Sequence, residues 1–118
     1  MKLRRSPYAR GDLKNAFRYS RAEYGDAGLR RYRALIETAL SDIVADPFRL
    51  NSRDRTSLAQ GLRSYHIRHS RTRSAEELVR APCHILYYRV TPDADTVILL
   101  RVLQDTWEPK ADDFRDDD

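Results

Sequence analysis

Apolar positions recur along this chain with two different periods. Ala9, Leu13, Ala16, Phe17, Ser20 and Tyr24 return at helical spacing, and Leu29, Tyr32, Ile36, Ala39, Leu40 and Ile43 follow the i, i+3, i+4, i+7 rule closely. Ser6-Pro7 reads as a helix start, with Ser6 as N-cap and Pro7 at a position whose missing N–H does no harm. Gly25 is placed to end that helix in a left-handed conformation, Asp26 to cap the next, and Asp46-Pro47 to stop it. The spacing thus predicts helices over 8–24 and 28–45. A connection as short as "GDAG" folds them into an antiparallel hairpin, with Arg30, Arg31, Arg33, Glu37 and Asp42 on the outer face of the second.

Past residue 60 the period shifts towards two. "GLRSYHIRH" carries Tyr65 and Ile67 on one side of a strand, with Arg63 and His69 on that same side and His66 and Arg68 opposite. "CHILYYRV" and "TVILLRVL" are apolar or aromatic on both faces, as central strands are, and "TPDAD" between them is a turn. "KLRRSP" is an edge strand leading into the first helix. Ser74 with Glu77 forms a capping box for a helical turn in the 70–81 insert. The expectation is an α+β fold: an N-terminal edge strand, and an antiparallel helical hairpin packed on one face of a small antiparallel sheet.

Composition adds limits. The length suits one domain, expected over 1–109, with 110–118 as a flexible acidic tail. No apolar run approaches the ~20 residues a membrane span needs, and the basic N-terminus has no apolar stretch behind it, so neither a membrane span nor a secretory signal is expected. Cys83 can form no internal disulfide, which suits a cytoplasmic protein. Charge is distributed unevenly: from Gln104 onward seven acids face Lys110 and Arg115, a balance of -5. Since the whole chain carries +4, the residues before Gln104 hold +9. Such a body favours an anionic partner, either nucleic acid or an acidic protein surface.

Candidate chemistry narrows quickly. His66, His69 and His84 lack acidic or cysteine companions at metal-ligand spacing, so no metal is expected. Cys83 beside Pro82 opens a buried strand and reads as a core thiol. The four glycines are too scattered for a phosphate loop, and no cofactor is expected. What remains is basic: from Arg49 to Arg73 there are seven arginines against one acid, Asp54. Arg63, His66, Arg68, His69, Arg71, Arg73, Arg89, Arg101 and Trp107 are the candidate docking residues. Arg89 and Arg101 interrupt apolar strands and must find a partner or reach a sheet edge, because burying them unpaired is expensive.

Several motifs, in order, resemble the RelE/ParE toxin superfamily on its ParE side. They are "SPYARGDLKNAFRYSRAEYG", "RYRALIETALSDIVADP", "GLRSYHIRH", "HILYYRV" and "TVILLRVLQDTWEP", and they span about residues 3–109. Gln104 stands where the family usually shows His, and Trp107 where Met is common. The resemblance implies the toxin of a bacterial type II toxin–antitoxin pair, of the plasmid-stabilisation kind. It would inhibit DNA gyrase, trapping the enzyme on cut DNA, and have no catalytic residues of its own. It further implies a hetero-oligomer with a ParD-like antitoxin, a ribbon–helix–helix domain whose tail wraps the toxin. Two alternatives stay open. One is a ribosome-dependent mRNA endonuclease of RelE type, in which His66 or His69 would have to supply the proton-transfer group. The other is a non-toxic module binding DNA or RNA through the basic face.

Overall fold

The computed structural model describes residues 1–73 and 79–115, and the capping box expected at Ser74 and Glu77 lies outside them. Strand β1 (Lys2–Arg5) leads into α1 (Pro7–Ala45), followed by β2 (Arg53–Asp54), β3 (Arg63–His66), β4 (His84–Val90) and β5 (Thr96–Gln104). The Ser6 hydroxyl accepts the Ala9 N–H at 3.0 Å and donates to the Leu100 carbonyl at 2.8 Å, so the cap also ties α1 to the sheet.

The helix breaks at Gly25, whose φ of 74° is left-handed. Its two arms fold back on each other. Arg33 lies over the Phe17 ring at 4.8 Å, where a continuous helix would separate those residues by about 24 Å. Gly28 sits in the tightest part of this turn, where a Cβ would overlap that of Tyr24. The expected hairpin is present.

The sheet has five strands in the order β1-β5-β4-β3-β2, so β4 and β5 are central, as their two-sided apolar pattern required. It is mixed and not purely antiparallel, because β1 pairs with β5 in parallel. The reason is parity. An antiparallel pair of helical arms returns the chain to the end where β1 left it, and the following strands then reverse in turn until β5 runs with β1. The helical arms cover one face, burying Tyr32, Leu35, Ile36 and Ile43 against Tyr65, Leu86, Tyr88, Val97 and Leu99. A second, smaller core lies on the other face, with Leu62, Tyr87, Ile98, Leu100 and Leu103 under Phe114. One residue of the acid-rich end therefore anchors it on the sheet: Phe114 is only 8% exposed, with its ring 4.9 Å from that of Tyr87.

Two sequence expectations need correction. The strand expected through His69 ends at His66, and Ile67–Arg73 is a 3₁₀ helix. The Ser70 hydroxyl bridges Tyr65 Oη at 2.8 Å and Asp42 Oδ2 at 2.6 Å, which turns the chain out of the sheet towards α1. Asp42, expected on the outer helix face, is 4% exposed and serves as the anchor for this turn. Its carboxylate also accepts Arg73 Nε at 3.1 Å and pairs with Arg49 at 3.6 Å. A helical period alone could not distinguish a solvated acid from one buried under Arg49, seven residues on, and Arg73, thirty-one residues on.

Candidate functional site

The cations divide into two groups. Most are held by the fold. Arg101 follows a slip in the β4–β5 pairing, where Tyr87 faces Arg101 while Tyr88 faces Leu99, and it lies beyond the last residue that β1 pairs. There it makes a two-pronged contact with Asp12 at 2.7 and 3.0 Å, and Asp12 also accepts the Val102 N–H at 2.9 Å. Arg63 lies over Phe48 at 4.9 Å and donates to Ser52 Oγ at 2.9 Å. Arg73 is tied to Asp42, and Arg71 donates to the Arg80 carbonyl at 3.3 Å. Arg89 stands partly buried on β4 opposite Ile98, with interactions of its own. Trp107 is 54% exposed on the same side as Arg101, its Nε1 donating to Asp113 at 3.3 Å.

The second group surrounds a cleft of about 140 Å³ on the outer sheet face, lined by Arg53, Arg55, His66, Arg68, His69 and Asp105 among others. Strand register explains the convergence. Arg53 pairs with Ser64, Ser64 with Tyr87, and His66 with Ile85, so these positions share the face away from the helices. Arg55 follows β2 and lies 5.9 Å over the Tyr87 ring. The 3₁₀ helix then brings Arg68 and His69 to the rim.

The sequence placed His66 and His69 on opposite faces of a strand. Because the strand stops at His66, their rings instead lie 6.4 Å apart, nearly perpendicular. Asp105 approaches from the end of β5, with its N–H bonded to the Cys83 carbonyl at 2.7 Å. His66 is engaged at both nitrogens: Nε2 lies 3.0 Å from Asp105 Oδ2, and Nδ1 is 3.1 Å from the Arg68 N–H. A carboxylate only accepts, so Nε2 carries the proton and Nδ1 accepts from Arg68. Burial holds the His66 pKa below its ordinary value, although the Asp105 bond opposes this. Burial also lowers that of His69, with Arg68, His66 and Arg53 adding to the effect. Both imidazoles are therefore neutral at neutral pH. Among the described residues, no hydrogen bond engages either nitrogen of His69.

Arg53, Arg55 and Asp105 were not singled out from the sequence. The available signal was the alternation Arg53-Asp54-Arg55, which puts both arginines on one side of a strand and the acid on the other. That signal is weak when the strand has two residues.

The remaining titratable cluster is buried. Tyr32 Oη lies 2.5 Å from His84 Nδ1 and accepts the Cys83 N–H at 3.1 Å. Burial pushes the His84 pKa down to about 4 and raises that of the Cys83 thiol. This is a neutral, satisfied network, and a protonated thiol in it is a poor nucleophile. Among the described residues no group of His, Cys, Asp and Glu side chains converges as a metal site, and no helix is long and apolar enough to cross a membrane.

A small mixed five-stranded sheet backed on one face by a helical hairpin is consistent with the fold of the RelE/ParE superfamily. Residues 3–106 match the family of ParE toxins of the type II toxin–antitoxin system parDE, and the chain belongs to that family. It is thus the toxin member of a toxin–antitoxin pair, and its family works with an antitoxin partner. No curated protein matches the chain.

Proposed function

We propose that this toxin acts by inhibiting DNA gyrase, trapping the enzyme on cut DNA, and that a ParD-like antitoxin neutralises it. Membership of the ParE family over residues 3–106 carries the reading. The disposition of proton-transfer groups supports it. His66 has both nitrogens engaged, His84 is buried against Tyr32, and Asp105 is occupied by His66. Of His66 and His69, the two histidines a nuclease of RelE type could use, His69 is the one whose ring nitrogens carry no hydrogen bond among the described residues. Basic side chains on the outer face, Arg68 foremost, would then dock the target, with Trp107 contributing from the segment after β5.

The antitoxin segment would lie in the groove beside the helical hairpin, a space of about 630 Å³ whose apolar floor includes Leu3, Leu40 and Val44 and whose rim carries Arg5 and Glu37. This groove borders β1, which lies at the edge of the sheet, where a segment can add as a further strand.

Purified toxin, gyrase and relaxed plasmid test the target directly. Loss of supercoiling with accumulation of cleaved plasmid is the expected result. Rapid mRNA cleavage in cells with unimpaired supercoiling would reject gyrase in favour of the nuclease.

A further inference from the structure

Three guanidinium groups from two segments of the chain, Arg53 and Arg55 at β2 and Arg68 in the 3₁₀ helix, surround one small cleft, and among the described residues the one carboxylate lining it is already engaged. Asp105 is bound to His66, and the neighbouring Asp54 turns away to accept the Thr56 N–H at 2.8 Å. Among the described residues no acid pairs with Arg53, Arg55 or Arg68. Elsewhere the same fold gives its arginines acids: Arg101 has Asp12, and Arg73 and Arg49 share Asp42. Converging like charges repel, and an anion that comes from outside would relieve a cluster that no acid among the described residues pairs with.

We propose that this cleft is a phosphodiester-binding site, holding one backbone phosphate of a polynucleotide between Arg53, Arg55 and Arg68 and the unengaged nitrogen of His69. The geometry suits a tetrahedral anion better than a carboxylate. One planar guanidinium suffices for the two oxygens of a carboxylate, whereas this cleft is lined by three guanidiniums from two segments, Arg53 and Arg55 at β2 and Arg68 in the 3₁₀ helix, and by the His69 ring. A volume of about 140 Å³ admits a single such group and no base or nucleoside with it. The polymer, and not free phosphate, is indicated by the +9 carried by the residues before Gln104, a field well beyond what one ion needs.

His66 has a distinct part here. It is a positioning residue: its bond to Asp105 fixes the ring, and the ring accepts the Arg68 N–H at 3.1 Å, which sets the start of the 3₁₀ helix at the rim. His69 in turn packs against Tyr65 at 5.7 Å, leaving its ring edge at the cleft.

The inference is independent of gyrase, and the experiment contains none. The probe is a short fluorescent single-stranded DNA of mixed sequence, titrated with the full chain over a range of salt. In parallel, the imidazole resonances of labelled protein are followed on addition of the unlabelled oligonucleotide, inorganic phosphate or an oligo-aspartate peptide. Arg53→Gln and Arg68→Gln should each weaken binding about 3- to 10-fold and lower the salt slope by about 0.7, the value for one single-strand phosphate contact. Arg18→Gln, an equal loss of charge on the exposed face of α1, should change binding less than 2-fold by comparison, taking about a tenfold effect per 1.4 kcal/mol as the scale of a real contact. The His69 signal should move with the oligonucleotide and that of buried His84 should not. Equal losses from Arg18→Gln and Arg68→Gln would overturn the site in favour of a diffuse field. A His69 shift with inorganic phosphate but no oligonucleotide binding would make it a free-phosphate site, and tighter binding of the aspartate peptide would make it a protein-docking surface. Either result overturns the polynucleotide assignment.

Discussion

His84 shows what a single buried base does to this protein. Its Nδ1 is hydrogen-bonded to Tyr32 Oη at 2.5 Å, and burial holds its pKa at about 4 against an ordinary 6.5. Between those values the unfolded chain binds a proton that the folded chain refuses, so stability rises with pH across the window. The contribution is fully present above pH 6.5 and is lost as pH falls towards 4. Its scale is on the order of 3 kcal/mol, from 1.36 kcal/mol per unit. His66 and His69, also lowered, act in the same direction. Thermal melts from pH 7 down to 4 should therefore show a steep loss of Tm, and His84→Gln should flatten it while lowering Tm at pH 7. An unchanged slope in that variant would place the acid sensitivity elsewhere. None of this was legible in the sequence, where His84 is merely a polar residue at the start of an apolar run. Its partner Tyr32 lies fifty-two positions away, on the far side of the helical turn.

At the scale of elements, the helical hairpin depends on two glycines in different ways, and a third provides the contrast. Gly25 needs its positive φ, so Gly25→Ala should cost about 1–2 kcal/mol from the left-handed strain alone. Gly28 has an ordinary φ but no space, and Gly28→Ala must push the helical arms apart at the Tyr24 Cβ, costing roughly 1–3 kcal/mol. Gly11 lies within α1 facing open space, so Gly11→Ala should stabilise by about 0.5–1 kcal/mol. Urea denaturation midpoints should show these signs, and a stabilising Gly28→Ala would mean the turn is looser than described. The outer core depends similarly on one ring. Phe114→Ala uncovers Tyr87 and should cost about 2–3 kcal/mol, below the value for a central Phe because the site is peripheral. Faster protease cleavage after Trp107 would be its companion sign. The helices, the Ser6 cap, the Asp46 stop and the central strands were readable in advance because their signals are local properties of the sequence. The two-residue β2, the parallel β1 and the end of β3 were not, because each is decided by a contact remote in sequence. Phe114 was hidden for a related reason: one aromatic among aspartates has no periodicity.

For the whole molecule, the cations that looked alike along the chain are expected to fail differently when removed. Arg101 is 19% exposed and its partner Asp12 is 12% exposed, so Arg101→Gln leaves a largely buried carboxylate without its counter-charge. It also disturbs the Asp12 bond that satisfies Val102 on the open edge of β5. Breaking such a pair costs roughly 2–4 kcal/mol, near the lower end of values for buried pairs. Arg68 is exposed and, among the described residues, paired with no acid, so Arg68→Gln removes repulsion from Arg53 and should leave Tm unchanged or slightly raised. The association of the toxin with its target should respond in the opposite order. A surface cation acts through encounter and salt dependence, whereas a tied one acts only by holding the fold. In a supercoiling assay at matched folded concentration, Arg68→Gln should need several-fold more toxin for equal inhibition, with the deficit shrinking as salt screens the wild type. Arg101→Gln should match the wild type once its lower stability is allowed for. If Arg101→Gln, fully folded by its melt, lost inhibition while Arg68→Gln kept it, the face that meets the target would be the one carrying Trp107, and the basic cleft would serve another partner.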